Sequence, residues 1–521
     1  MKEQFVVFVN SADTYRHKSS ANTSLYPNLG LLTLMSALKP HLDESKVRLG
    51  YFDGVIHGNG VVEDFIDDQA GDISVLCFST LTANYGASVA LAERAKTLNP
   101  DIVTVFGNDH FSALYKECMR RQRAIDFGFY GNDVVTGFTN FVGDQIHHQP
   151  KDYSEYPGLI YRTGNGQVRK NPENPSEYGT LPFIDYGLAD GILEHQRYYL
   201  DTQKGTYFFM RDRQIASQVS DIGRGCIKFA GLRQDNIPLN ACDFCGIIPG
   251  VKEIVSLDVE RAWAVLKNVF DQGFNYFYIT ADELPLTLWP LLRGMATNQP
   301  EWYRSLPEDV KPRMFGYARA EAFAYTPERI DFLVSQLGFN HFFIGFDGLS
   351  ETSLKLMNKQ PVGKRANTPL MAQNFRALDK MVDSQGLVTA GIVLTHLGIT
   401  PGIMQENYET LASMVSDHPQ TFAALDFGPL CPIPGSQSFR YLTHPDYAQA
   451  RADKFHLRID RDYLEANKEK YSGTDDFNMG ELITDFVRGC CPDISQGTLD
   501  EYSGRLAKLC NKYGIVIGGG V

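Results

Sequence analysis

The chain has 521 residues, a formal net charge of −13 and a hydrophobic fraction of 43%. This length exceeds one ordinary core, so we expect two or three domains. The acidic balance and the lack of a long Lys/Arg run argue against a nucleic-acid partner. Nine cysteines are too few for a disulfide scaffold. The apolar run at the start of the chain has only five residues, too few for a signal peptide, and no stretch approaches the length of a membrane span, so we expect a cytoplasmic protein with no membrane partner.

The first domain, residues 1–145, alternates short apolar runs with amphipathic stretches. Continuous apolar runs are typical of parallel strands covered on both faces, and the stretches between them have helical spacing. The pattern predicts an α/β fold with a doubly wound parallel sheet, whose ligands bind beyond the carboxyl ends of the strands. The predicted strands are FVVFVN (5–10), VRLGYFDG (47–54), ISVLCFST (73–80), IVTVFGND (102–109) and IDFGFYGN (125–132).

Residues 146–213 differ in composition, since they are rich in Pro, Tyr and charged residues. We interpret them as a linker that contains a small hairpin at 159–171, where Gly-Asn-Gly is a turn signal.

A second alternation of strands and helices occupies residues 214–440. Six strand–helix units predict a partial barrel, with its chemistry at the carboxyl ends of the strands. Residues 441–521 form a mixed C-terminal region whose fold the pattern does not specify. The six predicted strands lie within 214–225, 274–283, 312–320, 341–348, 388–396 and 422–430.

Three cysteines, Cys226, Cys242 and Cys245, follow the first strand of this second domain in the spacing C-x15-C-x2-C. Three thiolates can hold an iron–sulfur cluster and leave one iron open. A zinc site is an alternative, but it needs a fourth ligand from afar, and the histidines available are His195, His341 and His396. A disulfide between the paired cysteines and simple core cysteines are further alternatives.

The residues around these cysteines resemble the cluster loop of the radical S-adenosylmethionine (radical SAM) superfamily. The usual spacing there is C-x3-C-x2-C, so about twelve residues, Ala230 to Ala241, would be an insertion. Later segments match in order: Ala281-Asp282-Glu283, Tyr317-Ala-Arg319, IGFDGLSETSLKLMNK (344–359) and Pro432-Ile-Pro434-Gly435. The resemblance implies that Asp282 and Glu283 contact the S-adenosylmethionine ammonium, Arg319 the carboxylate, and Asp347 the ribose.

The first domain is similar to the cobalamin-binding domain that precedes many radical SAM barrels, through Tyr26-Pro-Asn-Leu-Gly30 and Phe106-Gly-Asn-Asp-His110. The D-x-H-x-x-G motif is absent, so the resemblance implies cobalamin held without histidine coordination to cobalt. We interpret His110 as a hydrogen-bonded residue at a strand end. The implied cobalamin-binding residues are Ser11, Thr80, Thr82, Gly107, Asn108, His110 and Gly131.

Taken together, the resemblance implies a cobalamin-dependent radical SAM enzyme with three cofactors: a four-iron four-sulfur (4Fe-4S) cluster, S-adenosylmethionine and cobalamin. It implies formation of a 5′-deoxyadenosyl radical, methylation of an unactivated carbon or phosphorus of a small-molecule substrate in natural product biosynthesis, and an electron donor of the flavodoxin or ferredoxin type. Radical rearrangement, cyclisation or ring contraction with the same cofactors is the nearest alternative. A cobalamin or iron–sulfur sensor is the non-enzymatic one.

Overall fold

The computed structural model describes residues 4–12, 26–149, 152–189, 191, 194, 216–219, 222–228, 233–234, 237–238, 241–246, 254–326, 328–359 and 369–518. Two compact units divide the chain. The first comprises Met1–Gln196, Gly246–Val251 and Lys470–Met479, and the second comprises the remaining segments. Each unit contains a seven-stranded sheet, and the α/β fold class predicted from the sequence is confirmed.

The sheet of the first unit has the strand order β2-β1-β3-β4-β5-β6-β7. The first five strands in the chain are parallel, and β6 and β7 are antiparallel, so the hairpin at 159–171 extends this sheet. Its strands are β1 Gln4–Asn10, β2 Val47–Asp53, β3 Ile73–Ser79, β4 Val103–Gly107, β5 Phe127–Phe129, β6 Leu159–Arg162 and β7 Val168–Lys170.

Helices connect the parallel strands of this sheet and explain the apolar runs. Val6 to Val9 in β1 are completely buried, because both faces of a doubly wound sheet are covered. Helix Leu29–Leu38 begins at Asn28, whose side-chain oxygen accepts a hydrogen bond from the Leu31 amide. The other described helices of four or more residues here are Gly54–His57, Asn59–Gln69, Tyr85–Leu98, Asn108–Arg121 and Val135–Ile146, and the described 3-10 turns are Lys39–His41, Tyr153–Glu155, Pro175–Thr180 and Tyr186–Leu188.

The strand order places a topological switch point between β1 and β3. The chain leaves β1 toward β2 on one side, whereas β3, β4 and β5 follow on the other. In open α/β sheets a crevice forms at this position, outside the carboxyl ends of the strands, and ligands bind there.

The second unit contains a parallel sheet with the order β18-β17-β16-β15-β14-β13-β8. All six strands predicted in this half of the chain are present, and neighbours in sequence are neighbours in space, as in a partial barrel. Two short antiparallel pairs accompany it: β9 Gly223–Arg224 with β12 Val255–Ser256, and β10 Arg233–Gln234 with β11 Ile237–Pro238. The sheet strands are β8 Ala216–Val219, β13 Tyr276–Ile279, β14 Arg313–Arg319, β15 Phe339–Asp347, β16 Leu387–Val393, β17 Phe422–Gly428 and β18 Val516–Ile517.

Helices alternate with these strands, and the C-terminal region is mainly helical. Helix Val259–Asp271 begins at Asp258, whose carboxylate accepts a hydrogen bond from the Arg261 amide at 2.7 Å. None of the described helices is long and apolar enough to cross a membrane. The others are Trp289–Thr297, Glu301–Arg304, Ala320–Ala324, Glu328–Leu337, Glu351–Leu356, Leu370–Asp383, Pro401–Asp417, Gln437–Thr443, Pro445–Phe455, Arg461–Ser472, Met479–Cys490 and Gln496–Tyr513.

Candidate cofactor sites

The first cysteine of the predicted cluster loop lies just beyond β9 and is tied to the end of β13. The Gly225 amide donates a hydrogen bond to Asp282 Oδ2 at 2.8 Å. Gly225 has φ 100°, a left-handed conformation that a glycine adopts without strain. Cys226 is thereby held beside the carboxyl end of the barrel sheet, although it is distant in sequence from β13.

The other two cysteines form a tight turn in which the Cys245 amide donates to the Cys242 carbonyl at 3.0 Å. Burial raises the pKa of the Cys226 thiol to about 12. Burial also raises the pKa of Cys245, and the charges of Cys242 and Cys226 add to the effect. The three thiols therefore lie within electrostatic reach of one another, and the structure brings the three predicted ligands into one site.

Cationic side chains surround Cys242. Arg319, at the end of β14, is 3.7 Å from the Cys242 sulfur and donates to the buried carboxylate of Glu321. Burial works against the charge of this guanidinium, but Cys242 and Glu321 together hold its pKa above the usual value. The pKa of Lys228 is lowered by burial, and a Cys242 thiolate acts in the opposite direction. Cationic side chains therefore lie next to one of the predicted cluster ligands.

The donor set fits an iron–sulfur cluster. All three residues offer soft sulfur ligands, and cysteine thiolates are the usual ligands of such clusters. Within the described residues, no group of three or more His, Cys, Asp or Glu side chains could hold a metal ion as they stand. A four-iron cluster is larger than one ion and spaces its thiolates farther apart than a single-ion site does, so the absence of a single-ion site does not argue against a cluster.

The zinc and disulfide alternatives have less support from the described residues. All nine cysteines are free thiols. His341 Nε2 pairs with Thr389 Oγ1 at 2.8 Å, and His396 Nε2 pairs with Ser353 Oγ at 3.0 Å. His195 lies outside the described residues.

The residues predicted to contact S-adenosylmethionine lie at the same strand ends, each with a protein partner. Asp282 is exposed and accepts the Gly225 amide described above. Glu283 is buried, and its carboxylate accepts hydrogen bonds from the Leu286 and Thr287 amides. Burial raises the Glu283 pKa to about 7, whereas the bonds from Thr287 lower it.

Asp347, at the end of β15, forms a buried ion pair with Lys359. Its φ of 55° is unusual for a residue other than glycine, and such backbone strain is concentrated at functional sites. Lys359 also lies 5.7 Å from the centre of the Phe244 ring inside the cysteine turn. Asp347 is thus linked to the cluster loop through Lys359.

Sequence reasoning missed three charged residues of this site: Lys228, Glu321 and Lys359. The signals for two of them were available, because Glu321 follows Arg319 by two residues and Lys359 ends the Met-Asn-Lys run. Lys228 follows Cys226 by two residues and is 5% exposed. A single lysine gives no sign of its own burial in the sequence.

In the first unit, the predicted cobalamin residues follow the carboxyl ends of β1, β3, β4 and β5, which are parallel. Ser11 Oγ pairs with Ser88 Oγ at 3.0 Å, and Thr80 Oγ1 donates to the Gly107 carbonyl at 2.7 Å. Asn108 has φ 75° and donates to Ser79 Oγ at 2.9 Å. The structure gathers these predicted residues at one edge of the sheet: Ser11, Thr80, Thr82, Gly107, Asn108, His110 and Gly131.

His110 is fully engaged by protein groups. Its Nδ1 pairs with Thr82 Oγ1 at 3.1 Å, and its Nε2 pairs with the Asp475 carbonyl at 2.6 Å. The ring stacks on Tyr85, whose hydroxyl donates to the Asp475 carboxylate at 2.8 Å. Burial lowers the His110 pKa to about 4. This histidine therefore fastens the segment Lys470–Met479, which belongs to the first unit although it is distant in sequence.

A buried network of amides and hydroxyls occupies the β1/β3 switch point. Asn28 donates to Ser79 Oγ at 2.9 Å, and Asn10 donates to Asp53 Oδ2 at 2.9 Å. Asn84 donates to the Ser11 carbonyl at 3.0 Å. Asn28, Ser79 and Asn84 were not predicted as site residues, because only the strand order shows that they face one crevice.

Comparisons with known proteins agree with this architecture. No protein-family model matches the chain. The anaerobic magnesium-protoporphyrin IX monomethyl ester cyclase of Rubrivivax gelatinosus is 23% identical over 378 residues, which are 70% of this chain and 58% of that protein. The chain thus spans less than two thirds of the length of this relative.

Two solved enzymes share the fold. OxsB, a cobalamin-dependent S-adenosylmethionine radical enzyme solved with aqua-cobalamin and S-adenosylmethionine, matches with TM-score 0.62 and 14% identity over 92% of this chain and 64% of its own. TsrM from Kitasatospora setae, a radical S-adenosylmethionine methyltransferase, matches with TM-score 0.57 and 14% identity over 85% of this chain and 76% of its own. TsrM has also been solved with cobalamin and a 4Fe-4S cluster. The chain has the fold of cobalamin-dependent radical SAM enzymes.

Proposed function

We propose that the chain is a cobalamin-dependent radical SAM enzyme that methylates an unactivated carbon or phosphorus of a small metabolite. The observation that carries this proposal is the trio Cys226, Cys242 and Cys245, gathered beside Arg319 at the carboxyl end of a partial barrel. The fold shared with OxsB and TsrM supports it.

The residues of the second unit divide the work of holding the cofactors. Cys226, Cys242 and Cys245 would ligate three irons of a 4Fe-4S cluster. When bound, the cluster, S-adenosylmethionine and cobalamin supply the electron, the 5′-deoxyadenosyl radical and the methyl group. The protein positions the reacting groups and excludes competing reactions.

The charged residues next to the cysteines suit a zwitterionic ligand. Exposed Asp282 presents a carboxylate suited to an ammonium, whereas Glu283 is buried and its bonds from Leu286 and Thr287 fix the turn. Arg319 would bind the carboxylate through its remaining N–H groups while it keeps its two bonds to Glu321. Asp347 would accept ribose hydroxyls while Lys359 compensates its charge.

In the first unit, the predicted residues at the carboxyl ends of β1, β3, β4 and β5 are proposed to hold cobalamin. Ser11, Thr80, Thr82 and Asn108 present neutral hydroxyl and amide groups, which suit the many amides of a corrin. Gly107 and Gly131 supply backbone beside them. His110 would support the edge through Asp475 instead of binding cobalt, since both ring nitrogens are engaged.

The test of methyl transfer uses anaerobically reconstituted enzyme, a reductant, candidate small-molecule substrates and S-adenosylmethionine labelled in its methyl group. We expect 5′-deoxyadenosine together with labelled product. A turned-over product without label would overturn methyl transfer.

A second candidate function is a radical cyclisation or rearrangement with the same cofactors. The specific observation in its favour is the relative from Rubrivivax gelatinosus, which is named a cyclase. In the labelling experiment this function gives 5′-deoxyadenosine and an unlabelled product. A sensor of cobalamin or of redox state, by contrast, would give no 5′-deoxyadenosine with any substrate. An external donor of the flavodoxin or ferredoxin type is the proposed source of electrons.

A further inference from the structure

The short turn that carries two of the three cysteines contains a buried carboxylate. Asp243 lies between Cys242 and Cys245 and is 3% exposed. A carboxylate removed from water is destabilising unless partners compensate it. Its partners therefore decide where this turn can be placed.

These partners come from two helices in the C-terminal region. The Tyr441 hydroxyl donates to Asp243 Oδ2 at 2.6 Å, and Arg451 Nη2 lies 3.6 Å from the same oxygen. The Asp243 carbonyl accepts two further bonds, from the Ser438 amide at 2.9 Å and the Ser438 hydroxyl at 2.8 Å. Both the side chain and the backbone of Asp243 are thus fixed to helices Gln437–Thr443 and Pro445–Phe455.

The other side of the turn is fixed to the end of helix Glu351–Leu356. The Asp243 amide donates to the Met357 carbonyl at 3.0 Å, and Asn358 Nδ2 donates to the Ala241 carbonyl at 2.7 Å. Arg451 also donates to the Leu356 carbonyl at 3.3 Å. One guanidinium therefore connects the two elements that hold the turn.

The spacing of the cysteines explains why such contacts are needed. Fifteen residues separate Cys226 from Cys242. A longer connection between two ligands fixes their relative position less than a short one does. Contacts from outside the connection therefore contribute more to the placement of Cys242 and Cys245.

We propose that Asp243, Tyr441 and Arg451 are positioning residues that fix the Cys242–Cys245 turn for cluster binding, and that the C-terminal helices Gln437–Thr443 and Pro445–Phe455 thereby belong to the cluster site. The proposal rests on the proposed function, since it takes the cysteines as cluster ligands. It adds residues some 200 positions away from the cysteine loop, in a region to which the sequence assigned no role.

The test compares full-length Asp243→Ala, Asp243→Asn and Tyr441→Phe with the wild-type protein after anaerobic reconstitution. We expect iron release to a chelator to be about 10- to 100-fold faster in Asp243→Ala, which loses a charge-assisted hydrogen bond. Tyr441→Phe removes a single hydroxyl, so it is expected to fold, with a smaller acceleration and an altered electron paramagnetic resonance spectrum of the reduced cluster. Asp243→Asn keeps an oxygen that can accept from Tyr441, and we expect partial rescue.

The matched control is Tyr447→Phe. Tyr447 stacks on Tyr441 at 5.6 Å, but its hydroxyl donates to Gln437 at 2.8 Å and not to Asp243. Wild-type release rates and spectra in both Asp243→Ala and Tyr441→Phe would overturn the positioning role. A wild-type protein that binds no cluster would instead overturn the proposed function, so the two failures are distinguishable.

Discussion

Both sheets contain parallel strands, and the residues at the carboxyl ends of these strands differ in chemistry between the two sheets. We call each set of residues the edge of its sheet. Around the first sheet, the seven predicted residues are hydroxyls, amides, glycines and a histidine whose pKa is lowered to about 4 by burial, so they are neutral at pH 7. Around the second sheet, thiols lie among Arg319, Glu321, Asp347 and Lys359. The seven predicted residues at the first edge offer a ligand hydrogen bonds and shape, whereas the charged residues at the second can stabilise charge.

This difference matches the division of work in the proposed function. A large ligand with many amides needs numerous weak, directed contacts. A cluster with a zwitterionic ligand needs compensated charges in a site protected from water. Variants that change one edge should therefore leave the ligand of the other edge unaffected.

The largest effect is expected from the cysteines. Cys226→Ala, Cys242→Ala and Cys245→Ala should each abolish stoichiometric iron, because a cluster that loses one of three thiolates is not retained. Iron analysis and visible absorbance after anaerobic purification measure this. Cys118→Ala, at a buried cysteine of the first unit, is the control and should keep the iron. If Cys242→Ala kept a full cluster, the assignment of the second ligand would be wrong.

The next effect concerns the free energy of unfolding. Arg319→Met should lower it by about 3–5 kcal/mol, because Glu321 would remain as a buried charge without its partner. The matched control is Arg94→Met in the first unit, where the pair with Asp67 is exposed and the expected loss is below about 1 kcal/mol. Urea unfolding of both variants measures the difference. Equal losses of unfolding free energy in Arg319→Met and Arg94→Met would contradict the expected difference between the buried and the exposed ion pair.

A pH effect follows from His341, which lies in β15 below the charged edge. Burial lowers its pKa to about 3, against 6.5 in an unfolded chain. Above pH 6.5 the His341 imidazole is neutral in both the native and the unfolded state. As the pH falls below 6.5, the imidazole binds a proton in the unfolded chain but not in the native state. The native state should lose about 1.4 kcal/mol of stability per pH unit from this residue.

The measurement compares unfolding of the wild type and His341→Gln between pH 6.5 and pH 4. The free energy of unfolding should fall with decreasing pH less steeply in the variant than in the wild type, by about 1.4 kcal/mol per pH unit. This holds whatever the stability of the variant at pH 7. His110→Gln in the first unit should show a change of the same sign, since its pKa is lowered to about 4. Parallel pH profiles would show that these histidines are not buried in the neutral form.

The smallest effect is expected at the neutral edge. Ser79→Ala removes the acceptor for Asn28 and Asn108 and should weaken cobalamin binding about fivefold, the value of one neutral hydrogen bond. Ser45→Ala, in an exposed turn of the same unit, is the control. Titrations at low and high salt should give similar affinities, because neutral contacts are not screened. A strong salt dependence would contradict the comparison between the two edges.

Much of the architecture could be predicted from the sequence, since apolar runs and helical spacing repeat regularly. The predicted six-strand order of the second half and the parallel sheet of the first were confirmed. The hairpin within the predicted linker was also correct in type, but its place at the edge of the first sheet depends on pairing between β5 and β6. Strand pairing of this kind is non-local and leaves no periodic signal.

The candidate site residues also divide into those that could be predicted from the sequence and those that could not. The residue types and their spacing pointed to the three cysteines, whereas Asp282, Glu283, Arg319 and Asp347 were predicted from the resemblance to the radical SAM superfamily. Neither pointed to Lys228, Asp243 or Tyr441, whose importance lies in burial and in partners far along the chain. In the amino-acid sequence, a buried lysine or aspartate cannot be distinguished from an exposed one.

By itself, then, the sequence determined which chemical groups are present and the order of the elements that carry them, because spacing and periodicity are local properties. The tertiary structure alone decided which of those groups meet. It placed Arg319 against Cys242, Lys359 against Asp347, and Tyr441 against Asp243. Because these contacts are buried, a charged group there is destabilising without its partner. The fold, more than any motif, therefore fixes the arrangement of the candidate site.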